Sequence, residues 1–163
     1  HMMGYYFPFS MEANYNKTMY VVNKPATICH ELAHLKGFIY EDEANFIGFL
    51  ACVSSDDLFF RYSGYMSVLG YVENEFRDSV NHKASAYFEH PEIARSVYDD
   101  DLFLTAEAWE KVEEKAVIQT AVVKKASNQF TEATLKLNGV EDGMKSYSRV
   151  VQLLLKYYDG ILY

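Results

Sequence analysis

The chain has 163 residues, half of them apolar and 16% aromatic, and carries a formal net charge of −8 with an isoelectric point near 5.1. That length suits one packed domain, residues 1–163, and is short for two. The acidic balance offers no basic field to displace phosphate counterions, which excludes general nucleic-acid binding, and no run reaches the roughly 18 apolar residues of a membrane span.

The opening His1-Met2 reads as the remnant of a cleaved tag, so the chain is expected to be an excised piece of a longer protein. Residues 4–9 are aromatic and β-prone, with Pro8 favouring an edge strand or extended segment. Residues 10–22 read as a loop with a short strand at Met19–Val22. Asn23 is a plausible N-cap and Pro25 suits the first turn of a helix. This helix should run to about Lys36, where Gly37 supplies a stop. A second helix is expected from Glu41 through Ala51 or Cys52, its acidic residues 41–43 matching the positive end of the dipole. Ser54, Ser55 and Asp56 are expected to cap a third helix from Asp57 to Phe76. Residues 79–99 suggest one or two short helices interrupted at His90-Pro91. The pattern is helical from Thr105 to about Leu137, with Asn138-Gly139 as a stop. Residues 141–158 give a last helix, whose Val150, Val151, Leu153, Leu154 and Leu155 imply burial. The predicted fold is mainly α, a multi-helix domain with at most a small N-terminal edge strand. Cys29 and Cys52 lie in apolar helical surroundings and read as buried free thiols.

The chemistry concentrates in His30-Glu31-Leu32-Ala33-His34. Residues four apart lie on one helix face, so both imidazoles can grip one zinc ion through neutral nitrogens. Glu31 then lies beside the ion, where its carboxylate can take a proton from an activated water and later pass it to a leaving amine. The apolar surroundings of this helix (Ala26 to Cys29, Leu32, Ala33, Leu35) predict its burial. Buried His, Glu and His need partners, because unpaired buried polar groups are costly, and a metal supplies them.

A catalytic zinc needs a third protein ligand. His82 and His90 sit in polar, weakly structured stretches, and Tyr40 is a poor ligand when neutral. Gly37 lets the chain turn sharply, so a helix from residue 41 can return across the first. Glu41 and Asn45 then share a face, with Ala44 small enough for close approach. Glu41 is therefore the expected third ligand and Asn45 its neighbouring support. Glu43 takes the role instead if the second helix is rotated.

The HExxH helix followed by Glu41-Asp42-Glu43-Ala44-Asn45-Phe46 resembles the gluzincin zinc peptidases, the group that includes thermolysin, and particularly the peptidases that cleave phage repressors. In those families the first glutamate of the second motif binds zinc. The resemblance implies a zincin-like fold. One departure from the pattern is the spacing, since six residues separate His34 from Glu41, fewer than in thermolysin-type enzymes. A second resemblance covers nearly the whole chain. It is to an uncharacterised family of bacterial membrane-anchored proteins in which transmembrane helices precede a soluble HExxH domain. Its blocks are Tyr6-Phe7-Pro8-Phe9 with Glu12-Ala13-Asn14, the HExxH segment with Gly37-Phe38, residues 41–46, Arg61 to Tyr65, Leu135 to Val140, and Gly143 to Val151. That resemblance implies a membrane-tethered parent, with this domain on an undetermined side.

A peptidase also needs a donor for the developing oxyanion. Tyr147 and Arg149 are candidates, as are Arg61 and Tyr62. The Tyr6–Asn14 segment is either an edge that pairs with an extended peptide or a simple packing arm. Together these features predict a zinc metallopeptidase acting on a peptide or protein substrate, with His30, His34 and Glu41 as ligands and Glu31 as base. The rival is a zinc-binding sensor or partner-binding domain without turnover.

Overall fold

The computed structural model describes residues 2–83, 85, 91–114 and 145–161, apart from the side chains of residues 145–148. Among the described residues the chain is mainly helical with one two-stranded sheet. In chain order it forms β1 (Gly4–Phe7), β2 (Glu12–Tyr15), α1 (Asn23–Leu35), α2 (Glu41–Val53), α3 (Leu58–Ser79), α4 (Arg95–Asp99), α5 (Ala106–Glu114) and α6 (Lys145–Tyr158).

The strands pair antiparallel in the register Gly4↔Tyr15, Tyr5↔Asn14, Tyr6↔Ala13 and Phe7↔Glu12. This corrects the expected loop over residues 10–22. The second strand is Glu12–Tyr15, and Met19–Val22 is not a strand. Met11, at φ 54°, takes a left-handed conformation in the turn that joins the strands. Met19 and Val22 are instead buried plugs, 2% and 4% exposed.

Local signals explain most helix ends. Val22 occupies the cap position of α1 and Asn23 is its first residue, so the helix starts one residue earlier than expected. The Asn23 amide is used elsewhere: it donates to the Leu102 carbonyl at 2.6 Å. One amide of the first turn, Ala26 N–H, is satisfied from outside by Ser63 Oγ of α3 at 3.1 Å. Asp57, rather than Ser54 to Asp56, caps α3, its carboxylate accepting from Phe59 and Phe60 N–H at 2.7 and 3.3 Å. Thr105 Oγ1 caps α5 through Ala108 N–H. The continuation of that helix to Leu137, its stop at Asn138-Gly139, and His90 lie outside the described residues.

α1 packs against α2, α3 and both strands, while α6 lies on α2 and α3. Phe49, Val68, Val150 and Leu154 form the buried centre, flanked by Phe46, Leu50, Val53, Tyr71 and Tyr158. On α6 only one stripe faces inward. Val150 and Leu154 are buried one turn apart, but Leu155 is 59% exposed, contrary to the burial expected of the whole run. α1 and α2 approach closely at Gly48, where a Cβ would lie 3.0 Å from His30 N and 3.2 Å from its Cα. Cys29, half-buried on α1, and Cys52, buried on α2, are both free thiols.

The segment after α4 is tied down by a branched contact. Asp100 accepts from Tyr20 Oη and Tyr62 Oη, both at 2.8 Å. Beside it, Tyr20 N–H donates to Phe103 O at 2.8 Å. No helix among the described residues is long and apolar enough to cross a membrane.

Candidate metal centre

The end of α1 sets the geometry of the centre. Gly37 adopts φ 97°, a conformation that side-chain-bearing residues rarely reach. Gly37 N–H then bonds His34 O at 3.0 Å and Phe38 N–H bonds Ala33 O at 3.2 Å, closing a Schellman turn. The turn folds the Phe38 carbonyl back to 2.7 Å from His34 Nδ1. With Nδ1–H donating there, His34 Nε2 is left to face the centre, the arrangement that orients ligating histidines.

α2 begins immediately after this turn. Glu41 reaches back to both imidazoles, with Oε2 at 3.3 Å from His30 Nε2 and Oε1 at 3.5 Å from His34 Nε2. The two Nε2 atoms are 3.0 Å apart. Ligand bonds of about 2.0–2.2 Å in a tetrahedral arrangement place neighbouring donors roughly 3.3–3.6 Å from one another. The observed triangle is close to that size, so this donor set can hold a metal ion. These three residues form a group whose ligand atoms all lie within 4.8 Å. Glu43 is exposed and outside this group, Asn45 is half-buried on the same helix, and Tyr40 is exposed. His82 pairs with Asp78 at 3.2 Å on the exposed end of α3.

Hydrogen bonds from His30 and then His34 hold the Glu41 carboxyl down at about 2, against the upward push of burial. The bond to Glu41 raises the His34 pKa, although burial opposes it. His30 Nδ1 is buried and has no hydrogen-bond partner among the described residues.

Glu31 is the most buried polar residue of the motif, at 5% exposure, whereas Leu32 beside it is 43% exposed. The sequence expectation of a helix buried on all sides is therefore wrong in detail: the carboxylate points inward and the leucine outward. Glu31 lies under β1, so close that a Cβ on Gly4 would meet Glu31 Oε1 at 2.5 Å. Burial raises the Glu31 pKa, with His30 and His34 pulling it down and Glu41 pushing it up. Its Oε2 has no partner among the described residues.

Further along the same strand, Tyr6 lies beside His34, with ring centroids 6.4 Å apart and planes at 23°. Sequence reasoning missed Gly4 and Tyr6 as neighbours of the motif, and no spacing signal links them to it. The expected oxyanion donors are placed as follows. Arg149 faces Asp42 with its guanidinium 3.8 Å from Oδ2, Tyr62 donates to Asp100, and Arg61 is exposed on α3. Tyr147 is on α6 and its side chain lies outside those described.

The chain belongs to the family described as Protein of unknown function (DUF3810), whose profile matches residues 1–155. No curated protein and no solved structure matches the chain.

Proposed function

We propose that this DUF3810 domain is a zinc-dependent metallopeptidase. The observation that carries the reading is the convergence of His30, His34 and Glu41 on a tetrahedron-sized triangle, with the buried Glu31 carboxylate next to it in sequence. Zinc fits the mixed imidazole and carboxylate donors, and when bound it would polarise a carbonyl and ease deprotonation of a water. His30 and His34 would hold the ion through Nε2, and Glu41 would complete the set while keeping its negative charge.

Glu31 is the proton carrier. A base works best when its pKa lies near the working pH, and burial moves this carboxyl in that direction. Its orphaned Oε2 has room for one hydrogen bond that no described residue supplies. The carboxylate can accept the proton released as water attacks the scissile carbonyl and return it to the departing amine nitrogen. Among the described residues β1 has a strand neighbour on one side only, so an extended peptide can add along its other edge. The resemblance to membrane-anchored bacterial proteins extends the proposal: the parent protein holds this domain at a membrane surface. Alkaline-carbonate extraction of membranes carrying the full-length protein would test that extension, and release into the supernatant would refute it.

The decisive experiment on turnover uses Glu31→Gln. The wild type should cleave a mixed peptide library in a chelator-sensitive manner, while the variant keeps one zinc per chain and loses cleavage. Undiminished cleavage by the variant removes Glu31 from the mechanism. Stoichiometric zinc with no cleavage by the wild type favours the rival, a metal-dependent sensor or partner-binding domain.

A further inference from the structure

The inner face of β1 carries a group that neither the motif nor its neighbours account for. Along this strand Tyr5 and Phe7 are exposed, whereas Gly4 and Tyr6 are half-buried. Alternation places Gly4 and Tyr6 on the same face. Gly4 abuts the Glu31 carboxylate and Tyr6 lies beside the His34 ring. That face thus runs from the proton carrier to a metal donor. The Tyr6 phenol makes no hydrogen bond to a described residue. Of the groups nominated from the sequence, Tyr62 is engaged with Asp100 and Arg149 with Asp42, Arg61 is exposed on α3, and the Tyr147 side chain lies outside those described.

We propose that Tyr6 donates its phenolic hydrogen bond to the substrate carbonyl oxygen as that oxygen gains negative charge. The inference rests on the peptidase reading and names a substrate-contacting residue within it. A phenol held by the strand meets the need for a donor that is fixed before the reaction begins, so little reorganisation accompanies charge development. The strand that would receive an extended peptide would then also carry the group that stabilises its scissile carbonyl.

The test is Tyr6→Phe, which keeps the ring beside His34 and removes only the hydroxyl. Zinc content and melting temperature should match the wild type, and kcat on a library-derived peptide should fall about 10²–10³-fold, with KM little changed. A second arm needs no turnover. A phosphonamidate peptide, whose tetrahedral anionic oxygens mimic the transition state, is titrated into both zinc-loaded proteins, and the variant should bind it at least about tenfold more weakly. Equal phosphonamidate affinity overturns the role of Tyr6, and so does loss of zinc by the variant, which would make the hydroxyl structural. A wild type that cleaves nothing yet shows the affinity difference sinks the peptidase reading and keeps the Tyr6 contact. A wild type that neither cleaves nor binds the phosphonamidate overturns both.

Discussion

Replacing Gly4 by alanine tests whether β1 and Glu31 are packed as tightly as the structure shows. The added Cβ would lie 2.5 Å from Glu31 Oε1, 2.8 Å from Glu31 Cγ and 2.8 Å from the Asn14 carbonyl oxygen. Glu31 is 5% exposed and has little space into which to retreat. Overpacking of this kind costs about 1–3 kcal/mol, and alanine recovers about 0.4–1 kcal/mol by restricting the unfolded chain. A net loss of roughly 1–2 kcal/mol remains, and for a chain of this size each kcal/mol lowers Tm by about 2–4 °C. Urea and thermal melts of four proteins (wild type, Gly4→Ala, Glu31→Ala and the double variant) would apportion the effect. Truncating Glu31 removes two of the three clashes, so Gly4→Ala should cost less in that background, with a coupling of at least about 0.5 kcal/mol. An identical penalty in both backgrounds, or none in the first, would refute the proposed contact.

Other predictions concern the metal donors and the Asp100 contact. Zinc must displace protons from the histidines. Because Glu41 raises the His34 pKa, affinity should fall by about tenfold per pH unit once His34 is protonated. Glu41, held at about 2, adds nothing to that slope near neutrality. Competition with a chromogenic chelator at about pH 5.5 and about pH 7.5 measures it, and pH-independent binding would contradict the ligand assignment. Gly37→Ala forces a side chain into φ 97° and loosens the Phe38 carbonyl from His34. We expect roughly 1 kcal/mol of lost stability and a 10- to 100-fold drop in zinc affinity; unchanged affinity would show that the carbonyl does not orient the ring.

Burial and the bond to Asp100 push Tyr62 up to about 12, and the same carboxylate raises Tyr20. A raised folded-state pKa stabilises fully below the unfolded value of about 10 and is lost as pH climbs toward 12. Asp100→Asn should flatten this alkaline loss when unfolding is followed by circular dichroism. Parallel curves for the two proteins would exclude the contact as its source.

The parts of the fold that were legible in the sequence are those with local causes. α1, α2 and α3 lie within a few residues of their expected ends, because Gly37, the acidic turn at Glu41 and Asp57 act on the backbone beside them. The grouping of Glu41 with His30 and His34 followed from helical spacing and one sharp turn. β2 escaped notice because Glu12-Ala13-Asn14-Tyr15 has little strand character of its own and pairs only through its register with β1. The inward turn of Glu31, the exposure of Leu32 and the approach of Gly4 and Tyr6 depend on where the hairpin docks. That docking is a tertiary fact with no periodic trace in residues 4–15.

The donors of the centre also differ in how far apart they lie along the chain. His30, His34 and Glu41 fall within one short stretch joined by a tight turn, so gathering them closes only a small loop. Glu31, by contrast, is covered by a strand that begins at Gly4, and the Asp100 contact reaches back to Tyr20 across a much longer span. Contacts that are close in sequence form early and cheaply in entropy, whereas distant ones come later. The chain can therefore gather His30, His34 and Glu41 before the hairpin closes over Glu31. Lifting the hairpin afterwards would bare the Glu31 carboxylate without separating the other three.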